Sequence, residues 1–337
     1  MKKDIYVLGI ESSCDDTSVA VVKNGREIVS LAISSQIDIH TLYGGVVPEI
    51  ASRNHTKNIK ECYNQAMKQA GLKLSDISAI AVTYGAGLLG ALIVGVSFAK
   101  GLSYASGIPL YGVNHIEGHI SSNYIAHKDL EPPFLCLVVS GGHTALFEMK
   151  SHTEKRLIAT TTDDAIGEAF DKVARECGLP YPGGPSVQKM AEQGKKTITF
   201  INPAKEHGDN FSYSGLKTAV INYLHNKKQK GEEVCIPDVC NSFQTEAVMQ
   251  LVNRTKQELI NSGYKKVVLA GGVSANQKLR EEMEKMCSSL GAKVYYPPLK
   301  LCTDNAAMIA SQAYFNLQSG EKPSSLTLAP MSVIKLQ

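Results

Sequence analysis

A pattern that occurs twice along the chain constrains its architecture more tightly than any single motif. Ile5 to Ile10 reads as an apolar strand ending in the polar turn Glu11-Ser12-Ser13-Cys14-Asp15-Asp16-Thr17. Ser18 to Val22 is a second strand, Lys23-Asn24-Gly25-Arg26 a hairpin turn, and Glu27 to Ser34 a third strand. About 130 residues later the pattern recurs: Phe134 to Val139, the turn Ser140-Gly141-Gly142-His143-Thr144, Ala145 to Met149, a polar turn, and Arg156 to Thr160. Alternating helices and strands follow each meander. In the first half these are Val47 to Gly71, Ala79 to Thr83, Leu88 to Ala105 and Leu110 to Val113. In the second they are a helix from about Cys240 to Ser262, strand Lys266 to Ala270, helix Ala275 to Leu290, strand Lys293 to Tyr296 and helix Asp304 to Ser319. Two such copies imply a duplicated α/β fold of two lobes, with ligands expected in a cleft where the paired turns face each other. The expected first lobe is residues 1–113 plus C-terminal helices at about 305–337; the second is 114–304, with an insertion at about 163–231.

With 337 residues the chain has room for both halves and their cores. Its 43% hydrophobic and 20% charged residues exclude wholesale disorder and a fibrous repeat. Thirty-five Lys and Arg against 32 Asp and Glu leave a net charge of +3, which excludes coating of nucleic acid by bulk charge. A local basic face is still compatible with that balance. Lys217, Lys227, Lys228 and Lys230, at the end of the insertion, fit either a solvated helix end or a nucleic-acid contact. The eight cysteines are scattered without a Cys-x-x-Cys pair, as expected of reduced thiols in a cytoplasmic protein. The apolar run after Lys2-Lys3 reaches Glu11 too soon for a signal peptide. Ile77 to Ala99 is uncharged for 23 residues, which is the length of a membrane span. Gly85, Gly87, Gly90 and Gly95 break it, and Leu89, Leu92, Val96 and Ala99 recur at helical spacing, so a strand, a tight turn and a packed helix are expected and no membrane. The glycines would let backbones approach closely, at a ligand loop or a helix and sheet contact.

Three turns could carry chemistry. Those after the first strand of each meander are rich in Ser, Thr and Gly, which expose backbone N–H groups and hydroxyls to phosphate oxygens; Glu11 would then face the phosphates or a metal. The third, Ala270-Gly271-Gly272-Val273-Ser274-Ala275-Asn276, offers Ser274 as a helix cap, or two glycines that admit a flat ring with Asn276 bonding the ring or its sugar. In Asn114-His115-Ile116-Glu117-Gly118-His119 the two histidines are spaced i, i+4, so on a helix both imidazoles project from one face as metal ligands do. Asp304 opens the last helix and fits either a cap or a third ligand; two imidazoles and a carboxylate suit Fe(II) or Zn. A metallopeptidase motif is different, because Glu117 lies two residues after His115, roughly 200° round a helix and away from the shared face.

Taken together, Gly9 to Thr17, Asn114 to His119, Val139 to Thr144, Ala169-Phe170-Asp171-Lys172, Tyr181-Pro182-Gly183-Gly184-Pro185, Phe211 to Lys217, Ala270 to Asn276 and Cys302 to Ile309 resemble the bacterial TsaD family over nearly the whole chain. Its members are tRNA adenosine threonylcarbamoyltransferases of the actin-like ATPase superfamily, whose fold is related to ribonuclease H. The resemblance implies transfer of threonylcarbamoyl from threonylcarbamoyl-AMP to the exocyclic 6-amino group of adenosine 37, in tRNAs reading codons that begin with A. It implies an Fe(II) or Zn ion on His115, His119 and Asp304, with Glu11, His115 and His119 as catalytic groups. It places the adenylate on Val138, Val139, Ser140, Gly141, Gly142, Asp171, Gly184 and Asn276, with Asp171 on hydroxyls and Asn276 near the base. It also implies a TsaB-like paralogue and a TsaE-like ATPase as partners, with ATP and Mg²⁺ entering through that complex. Archaeal relatives carry a metal-ligating Tyr at the position of Val138, and many members an acid at that of Gln188; this chain has neither. The competing readings on the same fold are a small-molecule kinase and a nucleotide-dependent assembly scaffold.

Overall fold

The computed structural model describes residues 4–200 and 209–335, so the part of the expected insertion at 201–208 lies outside the described residues. The chain forms two compact units: residues 1–132, 150–154 and 297–337 make one, residues 133–149 and 155–296 the other.

The first unit is built on strands β1 (Tyr6–Glu11), β2 (Asp16–Lys23), β3 (Glu27–Ser35), β4 (Ala79–Gly85) and β5 (Leu110–Asn114). Their order is β3-β2-β1-β4-β5; the meander is antiparallel, and β4 and β5 run parallel to β1. Helices α2 (Pro48–Ala70) and α3 (Leu89–Ser106) cover one face, and α4 (His115–Ala126) and α10 (Ala306–Gln318) belong to the other. Alternation along the strands assigns the faces: Leu8, Ile10, Ile80 and Val82 pack under α2 and α3, while Val7, Ala79 and Ala81 pack under α10. The second face is lined by small residues, so α10 lies close to the sheet: a Cβ on Gly9 would fall 2.2 Å from the carbonyl oxygen of Ala306. A five-residue helix, α1 (Ile37–Thr41), precedes α2. Proline in the first turn starts α2, and Gly71 and Gly107, both at positive φ, end α2 and α3.

The uncharged segment folds as expected, into β4, a turn and α3. By length and composition α3 could cross a membrane, but Ala91, Leu92, Gly95, Val96 and Ala99 are buried within the unit. Its glycines serve a close approach: Cβ atoms on Gly87 and Gly95 would strike Ser13 and Ser12, whose turn leans on the start of α3 through Ser12 Oγ to the Ala91 carbonyl.

The second unit repeats the plan. Strands β6 (Phe134–Val139), β7 (Thr144–Met149), β8 (Lys155–Thr160), β9 (Lys266–Ala270) and β10 (Lys293–Tyr295) take the order β8-β7-β6-β9-β10, again an antiparallel meander followed by two parallel strands. Leu135, Leu137, Val139, Val267 and Leu269 pack against α5 (Ile166–Glu176), α6 (Gly183–Ala191), α7 (Ser214–Gln229), α8 (Ile236–Ser262) and α9 (Gln277–Ser289). The helices α5, α6 and α7 belong to the insertion.

The expected lobe boundaries need correction. Residues 114–132 and 297–304 pack with the first unit, because α4 and α10 lie against each other there: a Cβ on Gly118 would be 2.6 Å from Ile309. The duplication itself shows in the matching strand orders.

Candidate metal centre and glycine cradle

The histidine helix is fixed at both ends. Asn114 caps it by accepting from the Ile116 N–H at 2.9 Å. At its far end the Arg26 guanidinium donates to the carbonyls of Tyr124, His127 and Leu130 and lies over the rings of Tyr124 and Phe315. His115 and His119 project from one face of α4, their ring centroids 4.6 Å apart. Asp304 completes the group: its Oδ1 is 3.3 Å from Nε2 of each histidine. One ligand atom from each of the three lies within 4.8 Å of the others.

Asp304 is free to point there because it does not cap α10. That task falls to Asn305, which accepts from the Met308 N–H at 3.1 Å, so the Asp304 carboxylate is left facing the two histidines. His119 is buried; its Nε2 faces the Asp304 carboxylate, and among the described residues its Nδ1 has no hydrogen-bond partner. Two imidazoles beside a carboxylate are a donor set that suits a tetrahedral or facial metal site. Burial alone would lower the His115 imidazole, but the carboxylates of Asp304 and Glu11 outweigh it and hold the ring protonated well above its usual range. Burial, helped by the charge on His115, pushes His119 the other way. Burial would raise Asp304, yet the two imidazoles pull it far below the carboxylate range. An ion bound here would have to displace the proton that Asp304 and Glu11 hold on His115. Glu117 is not among the residues of the cluster, and its charge is felt at Tyr84 and Glu321, so it does not stand as the base of a metallopeptidase motif would.

Glu11, expected to face phosphates or a metal, is fully buried, and its carboxylate accepts from His115 Nδ1 at 3.0 Å, Thr83 Oγ1 at 2.6 Å and the Ser13 N–H at 2.5 Å.

In the second unit the turn after β6 lies in front of α5. Thr144 Oγ1 accepts from the Ile166 N–H, and a Cβ on Gly167 would be 2.5 Å from the Ser140 carbonyl oxygen, so the helix N-terminus backs directly onto the turn. Val138 and Val139 bury their side chains within β6, and Ser140 closes the turn with His143. Gly141 and Gly142 are exposed, Gly184 at the start of α6 and Gly272 after β9 are half-buried, and a Cβ on any of the four would meet nothing within 4 Å among the described residues. Close contacts of Gly271 with Val139, of Gly167 with Ser140 and of Gly183 with Asp171 tie the three segments together, so the open positions belong to one glycine-lined cradle. Asp171 accepts from the Gly183 N–H at 2.7 Å, and burial raises its carboxyl.

In the third turn the cap is not the residue offered for it. Asn276, not Ser274, caps α9, accepting from the Leu279 N–H and donating to Gln244 Oε1 at 2.8 Å. Gln188 accepts from the Gln277 N–H at the start of the same helix. Gln244 was invisible to motif reading because it lies mid-helix in α8, and Thr83 because a lone Thr in an apolar strand carries no signal. The lysine run is partly neutralised: Lys217 is 2.7 Å from Asp164 and Lys227 pairs with Glu232, leaving Lys228 and Lys230 exposed.

Two sheets of matching strand order and, in the first half, a histidine-carboxylate cluster that could hold a metal ion define a duplicated α/β protein of two like halves. The fold matches component A of the Acidaminococcus fermentans (R)-2-hydroxyglutaryl-CoA dehydratase, with a TM-score of 0.58 and 15% identity, over 93% of this chain and 99% of that one. Residues 27–311 match the family model TsaD, tRNA N6-adenosine threonylcarbamoyltransferase. Proteins of that name from Clostridium botulinum (52% identical, over 96% of both chains) and Caldicellulosiruptor bescii (54%, over 94% of both) are similar along nearly their whole length. The chain belongs to the tRNA N6-adenosine threonylcarbamoyltransferase family.

Proposed function

We propose that this chain transfers the threonylcarbamoyl group of threonylcarbamoyl-AMP to the exocyclic 6-amino group of adenosine 37 in tRNAs that read codons beginning with A. The observation that carries this is the family match over residues 27–311, which spans both the metal centre and the glycine cradle. It favours transfer over the kinase and scaffold readings, which the fold alone allows.

The donor is a mixed carbamic and phosphoric anhydride, already activated, so the protein needs to orient it and stabilise charge rather than supply a nucleophile. The open backbone at Gly141, Gly142, Gly184 and Gly272, with the N-terminus of α5 behind the first turn, suits an adenylate phosphate and its nucleoside. The Asp171 carboxylate suits the ribose hydroxyls, and Asn276 the base. His115, His119 and Asp304 would hold Fe(II), with Zn(II) able to take its place in preparations. When bound, such an ion supplies Lewis acidity toward carbonyl or carboxylate oxygens. Glu11 holds His115 and exposes no oxygen to a substrate.

The resemblance supports a TsaB-like paralogue and a TsaE-like ATPase as partners, ATP and Mg²⁺ acting through that complex, and a cytoplasmic setting. With two of the four lysines paired, partner subunits are the better source of tRNA affinity than the Lys217 to Lys230 stretch. The test is reconstitution with threonylcarbamoyl-AMP and transcribed tRNA, with and without partners, followed by nucleoside mass spectrometry. Threonylcarbamoyladenosine is expected; its absence with all partners present overturns the assignment.

A further inference from the structure

We propose that Glu11, seated by Thr83 and Ser13, is a positioning residue that fixes the ring orientation and tautomer of His115, so that Nε2 is presented as a metal ligand. The proposal rests on the metal reading above and deepens it. Register places the groups: Ile10 pairs with Val82 across parallel strands, so Glu11 and Thr83 follow on the face that carries α4. Every partner of the Glu11 carboxylate is a donor. Thr83 Oγ1 and His115 Nδ1 both donate to Oε2, and the Ser13 N–H donates to Oε1. A carboxylate only accepts, so when the ring is neutral the proton of His115 stays on Nδ1 and the Nε2 lone pair is left for the side where Asp304 and His119 lie. Ser13 Oγ, 3.1 Å from the same Nδ1, braces the ring from a second direction.

The asymmetry between the two histidines supports this reading. Among the described residues His119 Nδ1 has no partner that would set its tautomer, whereas His115 is held from behind by a charged group. Burying a carboxylate is costly, and a strand end in an apolar sheet has cheaper occupants. The donors gathered round it aim one imidazole at a ligand position. The turn that supplies Ser13 is itself held against α3, where the Leu88 N–H donates to the Ser13 carbonyl at 2.8 Å and Gly87 leaves room for the contact.

The test compares the wild type with Glu11→Gln and Thr83→Val. Gln cannot satisfy three donors, because its amide NH₂ would confront one of them; Val removes the hydroxyl that seats the carboxylate while leaving the carboxylate in place. Zn²⁺ affinity is measured by competition with a chromogenic chelator, coordination by the visible spectrum of the Co²⁺-loaded protein, and folding by circular dichroism of the metal-free protein. Glu11→Gln is expected to lose about 10–100-fold in Zn²⁺ affinity with an altered Co²⁺ spectrum, and Thr83→Val a smaller loss in the same direction. Wild-type affinity and spectrum in both variants overturn the inference. Should Glu11→Gln fail to fold, Thr83→Val decides, and wild-type behaviour there overturns it equally. A wild-type chain that binds neither ion overturns the metal reading and the inference with it, whereas a binding wild type with unaffected variants overturns the inference alone.

Discussion

Replacing Gly9 by alanine adds one methyl group at the tightest point between β1 and α10. The new Cβ would lie 2.2 Å from the Ala306 carbonyl oxygen and 3.0 Å from the backbone nitrogen and Cβ of Ala310. Backbone of a packed helix cannot rotate aside as a flexible side chain can, so the start of α10 must retreat by roughly 1 Å to restore ordinary contact. Overpacking of this kind costs typically 1–3 kcal/mol; with backbone as the obstacle we take the upper end, about 3 kcal/mol. For a unit of this size that lowers Tm by about 6–12 °C. Asp304 stands two residues before α10, so the same retreat draws its carboxylate away from His115 and His119. Sites that need their geometry within about 0.5 Å do not tolerate this, and Zn²⁺ affinity should fall by about tenfold or more. Calorimetry with chelator competition reads both effects. The control is Gly101→Ala in α3, where a Cβ meets nothing within 4 Å, and which should be neutral or stabilising by about 0.5–1 kcal/mol. A Gly9→Ala protein that melts within about 2 °C of wild type and binds Zn²⁺ unchanged would refute the argument that this contact sets the site.

Zn²⁺ affinity should rise with pH through and above the ordinary histidine range, because the proton that Asp304 and Glu11 hold on His115 must leave before the ring can bind; titration calorimetry in buffers of different ionisation enthalpy should show that release. Asp16 is pushed by burial, and by the charges of Asp304, Asp15 and Glu11, from 3.8 to about 7. The folded state therefore binds more protons than the unfolded one between those values, so stability falls as pH rises from about 4 to about 7, by about 4 kcal/mol in all. Asp16→Asn should flatten that fall in denaturant unfolding of the metal-free protein, and an unchanged pH dependence would rule out the cause given. Val at Gly141 or Gly184 should fill the cradle and weaken binding of a non-hydrolysable threonylcarbamoyl-AMP analogue at least tenfold, since overlap with a ligand costs more than about 1.4 kcal/mol, while leaving Zn²⁺ affinity at the wild-type level; equal analogue affinity would move the nucleotide elsewhere.

The duplicated meanders were legible because each strand announces itself by composition and each turn by Gly, Ser and Asn, and strand limits differ from expectation by only a residue or two. The histidine pair was legible from spacing alone. What could not be read was the division of labour between neighbours at helix starts. Asp304 or Asn305, and Ser274 or Asn276, could each cap; the choice depends on which backbone bends first, and in both cases the Asn takes the cap. Glu11 looked like a group facing ligand because it ends a strand at a polar turn. Its true surroundings, Thr83 on another strand and His115 over a hundred residues on, exist only after the sheet pairs. The boundary at 113 failed for a similar reason: α4 follows a strand of the first half, but its small face at Gly118 is matched by α10, at the far end of the sequence.

That distant match has a consequence during synthesis. Asp304 leaves the ribosome 185 residues after His119, the difference of their positions, which at about 5–20 residues per second is roughly 10–40 s. Throughout that interval the nascent chain can offer an ion only two imidazoles, and the face of β1 at Gly9 has no helix over it. Tight loading of metal is thus restricted to chains made past Asp304, so a product truncated before it would bind ions weakly.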